Sequence, residues 1–267
     1  MSYSKKSVSL IGLVVAIMVF TNGCTHEEPK HVNDTSHKKE AHWGYKGEEG
    51  PESWGKLKPE YEACSNGKSQ SPIDITGADS QNLPAIAFNY QPSALNVLNN
   101  GHTIQVDYDE GSSIEIEGGK YSLKQFHFHG PSEHTLKGVH SPLEVHLVHQ
   151  NDGGQLAVVA VMIESGGENQ ALAPVWKNLP KGSGQERKPD GVKVNAKDFL
   201  PAEQLYYSYD GSLTTPPCSE GVKWFVLTRP IDMSNTQFAA FKVLFDHNNR
   251  PVQPLNVRMV RVDSSPN

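Results

Sequence analysis

The sequence predicts a mainly β protein, α+β in class, with few and short helices. Seven short runs rich in β-branched and aromatic residues, each bounded by Gly, Asn or Asp clusters, recur between residues 94 and 228. Helical signals are few, and two stretches are the better ones. From His42 to Asn267 there is no internal repeat and no apolar run of membrane length, so this span suits one domain with a substantial core.

The chain opens with Lys5 and Lys6 ahead of an apolar run from Leu10 to Phe20. That run is short for a bilayer span and right for a signal-peptide core, so residues 1–24 read as a leader for export. Cleavage after Gly23 would leave Cys24 at the new N-terminus, where bacterial lipoproteins carry their lipid. Thr21 departs from the usual lipobox, which favours an aliphatic residue there. Of three cysteines, Cys64 and Cys218 can pair in an exported protein, which leaves Cys24 over. Lipidation of Cys24 and attachment to the cell envelope is the expectation; the alternative is a soluble periplasmic or secreted product in which Cys24 is lost or idle. Residues 25–41 are polar, hold His26, His31 and His37 at irregular spacing, and read as a solvated tether.

Strands are expected over 94–98, 102–108, 113–117, 125–129, 143–150, 156–164 and 224–228, and helices over 169–179 and 236–245, the second with Phe238, Phe241 and Phe245 as its apolar positions. The formal net charge of −6 and the lack of a Lys/Arg-rich run argue against nucleic acid as a partner.

Six of the twelve histidines fall between residues 127 and 149. Side chains alternate along a strand, so His127 and His129 share one face while Phe126 and Phe128 point into an apolar layer. Glu144, His146 and Val148 share a face likewise, and an antiparallel neighbour would bring His146 to the same point. Three neutral histidines without a fourth protein ligand describe an open, catalytic zinc site. The ordinary alternative for H-x-H is a polar strand face. Gln125 and Glu144 weigh against it, because each lies two residues before a histidine and offers an acceptor to that ring's second nitrogen.

The pieces Q-F-H-F-H (125–129), S-E-H (132–134) and L-E-V-H-L-V-H (143–149) resemble the zinc-binding core of the α-class carbonic anhydrases. His42-Trp43-Gly44-Tyr45, Gln70-Ser71-Pro72-Ile73-Asp74-Ile75, Asn99-Asn100-Gly101-His102, Ser212-Leu213-Thr214-Thr215-Pro216-Pro217, Trp224-Phe225-Val226-Leu227 and Asn248-Asn249-Arg250-Pro251 extend the resemblance in order. It implies a twisted central sheet of about ten mostly antiparallel strands with short peripheral helices. It also implies reversible hydration of CO2 to bicarbonate and a proton by zinc-bound hydroxide, with one Zn2+ per chain. Three-histidine zinc and a near-neutral zinc-bound water are known properties of that family.

By the same resemblance His127, His129 and His146 are the ligands, oriented by Gln125, the backbone carbonyl of Asn248 and Glu144. Thr214 donates to ionised Glu133 and so aims the nucleophile, and Thr215 contacts bicarbonate beside it. Val148, Val158, Leu213, Val222 and Trp224 form the apolar wall for CO2, and His102 shuttles the proton along water ordered by Tyr45, Asn100 and Gln105. Cis bonds are implied before Pro72 and Pro217, structural roles for His134 and His149, and a homodimer of the kind common among bacterial relatives. A Cys64–Cys218 bridge would pin the loop bearing Thr214. The alternative is a catalytically silent member of the family serving as a surface binding module; the presence of His127, His129, His146, Glu133 and Thr214 favours the enzyme. A zinc peptidase would need an H-E-x-x-H helix, and there is none.

Overall fold

The computed structural model describes residues 42–265. The expected leader 1–24, Cys24 and the tether 25–41 lie outside the described residues. The body is a thirteen-stranded sheet. Its central strands run, in spatial order, Asn96–Asn99, Ile104–Asp107, Gly119–His129, Leu143–Gln150, Leu156–Ser165, Glu220–Leu227 and Tyr206–Ser212. Neighbours are antiparallel except where Leu156–Ser165 meets Glu220–Leu227 and Ile231–Met233, and where Arg261–Asp263 meets Asp79–Gln81.

The sheet is larger than the ten or so strands expected because short polar segments join it. Asp79–Gln81, Glu186–Arg187 and Arg261–Asp263 have no run of strand formers; they become strands by pairing with an edge already in place. Tyr206–Ser212 was also not among the expected strands. Its Ser, Asp and Gly residues are turn formers, yet it pairs along its length with Glu220–Leu227.

Of the two expected helices, 169–179 shortens to Ala173–Lys177. Asn169 spends its side chain on a local turn, Oδ1 accepting the Ala171 N–H at 2.9 Å, and Pro174 fits only the first turn. The other spans Asn235–Lys242 and starts from a capping box between Ser234 and Gln237. Its Phe241 is buried, with Phe238 and Phe245 packed on the same core.

Both faces of the sheet are covered. Along Leu156–Ser165, Val159, Val161 and Ile163 enter the larger core with Phe126, Phe128, Val145 and Leu147. Val158, Ala160 and Met162 enter a second cluster with Val222, Trp224 and Val226. This alternation explains why the strand reads as a continuous apolar run. The histidine pair 127/129 lies on the second face, opposite the buried phenylalanines. Cys64 and Cys218 are joined across 154 residues, Cα to Cα 5.0 Å. Closing so long a loop constrains the unfolded chain by about 4–5 kcal/mol in the chain-entropy account. The bonds before Pro72 and Pro217 are cis, and so is Gly130-Pro131.

Candidate metal centre

Pairing register assembles the centre. Gly119–His129 and Leu143–Gln150 run antiparallel with His146 opposite His127 and Glu144 opposite His129, so three imidazoles from two strands meet on one face. Ile104–Asp107 lies on the other side of the first strand and sets Gln105 opposite His127.

Hydrogen bonds settle which nitrogen of each ring is bare. His127 Nδ1 is 2.8 Å from Gln125 Oε1, His129 Nδ1 is 2.6 Å from the Asn248 carbonyl, and His146 Nε2 is 2.9 Å from Glu144 Oε1. Each partner oxygen can only accept, so each of these nitrogens carries the proton and the opposite one offers a lone pair. The bare atoms are His127 Nε2, His129 Nε2 and His146 Nδ1. Ligand atoms of the three residues lie within 4.8 Å of one another. His129 Nε2 is buried and has no hydrogen-bond partner. A lone pair left so in a protein interior is costly, and a metal ion is the partner that fits it. The donor set, three nitrogens without cysteine, matches zinc in an open site.

The electrostatics agree. Burial, helped by the other two rings, pushes the His127 pKa well down, and burial lowers His129 as well. His146 is raised: burial opposes protonation, but the charge and hydrogen bond of Glu144 and the charge of Glu133 outweigh it. Two fully buried carboxylates beside three imidazoles form a pocket in want of positive charge. Glu144 is held well below the usual carboxylate range, burial being overcome by His134 and His146.

The pocket in front of the ligands has a volume of about 130 Å³ and is lined by His127, His129, Gln125, Thr215, Tyr45, Asn100, Gln105 and His102. The shuttle candidate and the three water-ordering candidates therefore share one cavity with His127 and His129. Asn100 Nδ2 donates to Gln105 Oε1 at 3.3 Å, and the Tyr45 hydroxyl is buried without a partner. The five apolar candidates come together elsewhere: Val158, Val222 and Trp224 are buried in the second core cluster, with Val148 and Leu213 packed partly exposed against it. Trp224 reaches the ligands through His146, ring centroids 4.9 Å apart.

One expected contact is not made. Glu133 Oε1 accepts the Arg250 backbone N–H at 2.9 Å, and Glu133 Oε2 is buried with no partner, so the hydrogen bond from the Thr214 hydroxyl is not formed in this structure. Thr214 is buried on the loop that follows Tyr206–Ser212, four residues before the bridged Cys218.

Several residues of the site were not legible from the strand pattern. Asn248 brackets the floor with its side chain: Nδ2 donates to the carbonyls of His102 and Phe128, each at 2.9 Å, and Oδ1 accepts the Gly130 N–H at 2.8 Å. Buried Arg250 ties Gln70, Ser71 and Cys64 together while its backbone holds Glu133. His134 shares Glu144 with His146 and bonds the Tyr209 hydroxyl through Nε2 at 2.7 Å. Trp43 lies flat against His102, centroids 3.6 Å apart. The motifs contain all these residues, but nothing local signals their partners.

Fold and site together define a sheet protein with a histidine cluster able to bind a metal ion. The sequence matches the family model for eukaryotic-type carbonic anhydrase over residues 49–264. It is 47% identical over 231 residues to a carbonic anhydrase of Neisseria gonorrhoeae, covering 84% of this chain and 89% of that one. With a carbonic anhydrase of a Nostoc species it shares 40% identity over 263 residues, 97% of each chain. The solved α-carbonic anhydrase of Thermovibrio ammonificans in complex with the inhibitor sulfanilamide superposes with a TM-score of 0.81 at 47% identity, over 83% of this chain and 99% of that one. The chain belongs to the eukaryotic-type, or α, carbonic anhydrase family, and its activity is the reversible hydration of carbon dioxide.

Proposed function

We propose that the bare nitrogens of His127, His129 and His146 hold one zinc ion and that carbon dioxide is hydrated in front of it. The observation that carries this reading is the buried, unpartnered Nε2 of His129 beside two rings whose other nitrogens are already spent. The chemistry supplied by the metal when bound is Lewis-acid activation of water. Gln125, Asn248 and Glu144 fix the three rings so that little reorganisation is needed. With the metal bound, the Thr214 hydroxyl would turn to the unpartnered Glu133 Oε2, which would leave the Thr214 oxygen able only to accept and so select one orientation of the attacking oxygen. Thr214 and Thr215 receive bicarbonate, and the cluster of Val148, Val158, Leu213, Val222 and Trp224 offers CO2 an apolar resting place. His102 takes the product proton across water ordered by Tyr45, Asn100 and Gln105. Burial first, and the charge of His42 second, lower its pKa, so it releases that proton readily.

Stopped-flow CO2 hydration and elemental analysis test this together. The expected result is one zinc per chain, loss of metal and rate on chelation, and return of both on adding zinc. A metal-free protein at full rate, or a zinc stoichiometry unchanged by His129→Ala, overturns it. We propose further that the leader is removed on export, with a lipid on Cys24 and residues 25–41 as the tether to the envelope. The native membrane-fraction protein then carries a diacylglyceryl mass that Cys24→Ser loses; its absence from the native protein rejects the anchor. A homodimer is the proposed assembly, read by sedimentation.

A further inference from the structure

We propose that Asp107 is a positioning residue for proton transfer: through Gln105, its carboxylate fixes which way the side-chain amides of Gln105 and Asn100 turn their donors and acceptors toward the water of the catalytic cavity. The proposal rests on the reading of Gln105, Asn100 and His102 as the proton path. Those three residues line the cavity, and Asp107 is not among its lining residues. Strand alternation puts Asp107 on the same face as Gln105, and both are half-buried. The antiparallel register sets Gln105 opposite His127 and Asp107 opposite Gln125.

The hydrogen bonds run in one direction. Asp107 Oδ1 accepts from Gln105 Nε2 at 2.6 Å, Gln105 Oε1 accepts from Asn100 Nδ2 at 3.3 Å, and Asn100 Oδ1 accepts the N–H groups of His102 and Thr103, each at 2.9 Å. A primary amide has an oxygen that only accepts and a nitrogen that only donates, and the two are alike in shape, so its partners decide which way it faces. Both ends of this chain demand the same direction: two backbone N–H donors at one end, a carboxylate that can only accept at the other. Reversing Gln105 would set its NH2 against that of Asn100. Reversing Asn100 as well would strand the His102 and Thr103 N–H groups. The bond to the charged oxygen is the shortest in the chain and of the stronger kind. Asp107 Oδ2 accepts from Asn96 Nδ2 at 3.3 Å, which holds the carboxylate from its other side. Water in the cavity therefore meets an acceptor at Gln105 Oε1 and a donor at Asn100 Nδ2 in fixed positions. The Tyr45 hydroxyl, buried without a partner, belongs to a residue of the same lining.

The test compares wild type, Asp107→Leu, Asp107→Asn and His102→Ala in stopped-flow CO2 hydration, in weak and in imidazole buffer, with thermal midpoints to verify folding. Leucine keeps the outline of the side chain and removes every acceptor; Asp107→Ala removes the same acceptors and takes its place should leucine disturb the fold. Asparagine keeps one oxygen for Gln105, and Asn96, whose Oδ1 is buried without a partner, can turn to meet the new amide. We expect Asp107→Leu to lower kcat in weak buffer by about threefold, well short of the ~10²-fold of a whole general base, with kcat/KM unchanged and imidazole restoring kcat. Asp107→Asn should match wild type. In NMR spectra the side-chain NH2 protons of Gln105 should exchange with water faster in Asp107→Leu and at the wild-type rate in Asp107→Asn. If His102→Ala lowers kcat in weak buffer and Asp107→Leu does not, the role of Asp107 is overturned while the path stands. An unchanged His102→Ala overturns the path and the role of Asp107 with it. A fall in kcat/KM for Asp107→Leu, or an Asp107→Asn as slow as Asp107→Leu, also rejects the proposal, because the carboxylate would then act on the metal centre or through its charge alone.

Discussion

Among the described residues two trios of metal-type side chains share His146, and only one of them keeps its converging nitrogens free. His127, His129 and His146 lie within ligand reach of one another, and so do His134, Glu144 and His146. In the second trio every approach is already occupied. Glu144 Oε1 accepts from His134 Nδ1 at 2.7 Å and from His146 Nε2 at 2.9 Å, while Oε2 accepts the N–H groups of Glu133 and His134 at 2.7 and 2.9 Å. His134 Nε2 is taken by Tyr209, whose hydroxyl continues to Ser71 at 2.9 Å. The first trio keeps three nitrogens bare. Residue type and distance do not separate the two groups; hydrogen-bond accounting does, because a lone pair already engaged cannot bind a metal without losing its partner.

The comparison breaks most clearly at His129. His129→Ala is expected to take CO2 hydration to background and metal content with it, as read by stopped flow and elemental analysis. A variant that retained zinc would mean that the closed trio can bind it. Glu144→Gln, which alters the residue joining the two trios, should lower metal affinity by about 10–100-fold in a competition titration with a chelator. A smaller drop than that of a distant surface control would make the shared carboxylate irrelevant to the cradle.

His134→Phe acts on the closed trio alone. It strands part of a buried network, so denaturant unfolding should show a loss of about 1–3 kcal/mol, with metal affinity falling less than for Glu144→Gln. A full loss of metal would erase the distinction between the trios. The smallest expected effect belongs to His149, a buried histidine outside both. Its Nε2 meets the Tyr90 hydroxyl at 2.8 Å and its Nδ1 the Ala157 carbonyl at 3.2 Å. Burial pushes its pKa to about 3. The folded value lies below the unfolded one, so the stability is complete above about pH 6.5 and declines as pH falls below it, by about 1.4 kcal/mol per unit at most. Urea midpoints between pH 7.5 and 5 should fall less steeply for His149→Gln than for wild type; equal slopes would mean that a ring with both nitrogens engaged still titrates normally.

Much of the centre was legible because strand geometry is local. Alternation alone put His127 with His129 and Phe126 with Phe128, and the offset of two residues put Gln125 and Glu144 where they hydrogen-bond their histidines. Propensity failed where pairing overrode it, at Tyr206–Ser212 and at the short edge strands, and where Asn169 chose a turn over a helix. The Thr214–Glu133 contact, taken from resemblance, is not formed in this structure: Arg250 engages one oxygen of Glu133, and the other has no hydrogen-bond partner.

The sequence by itself determined which residue types share a strand face, because that follows from two backbone dihedrals per residue and a period of two. Only the tertiary structure decided which lone pairs remain free. His129 meets the carbonyl of Asn248 across 119 residues, and Arg250 meets Cys64 across 186. No local rule fixes contacts at such separations; they form when packed layers hold distant segments together, and that packing leaves three nitrogens bare around one point while closing the neighbouring trio.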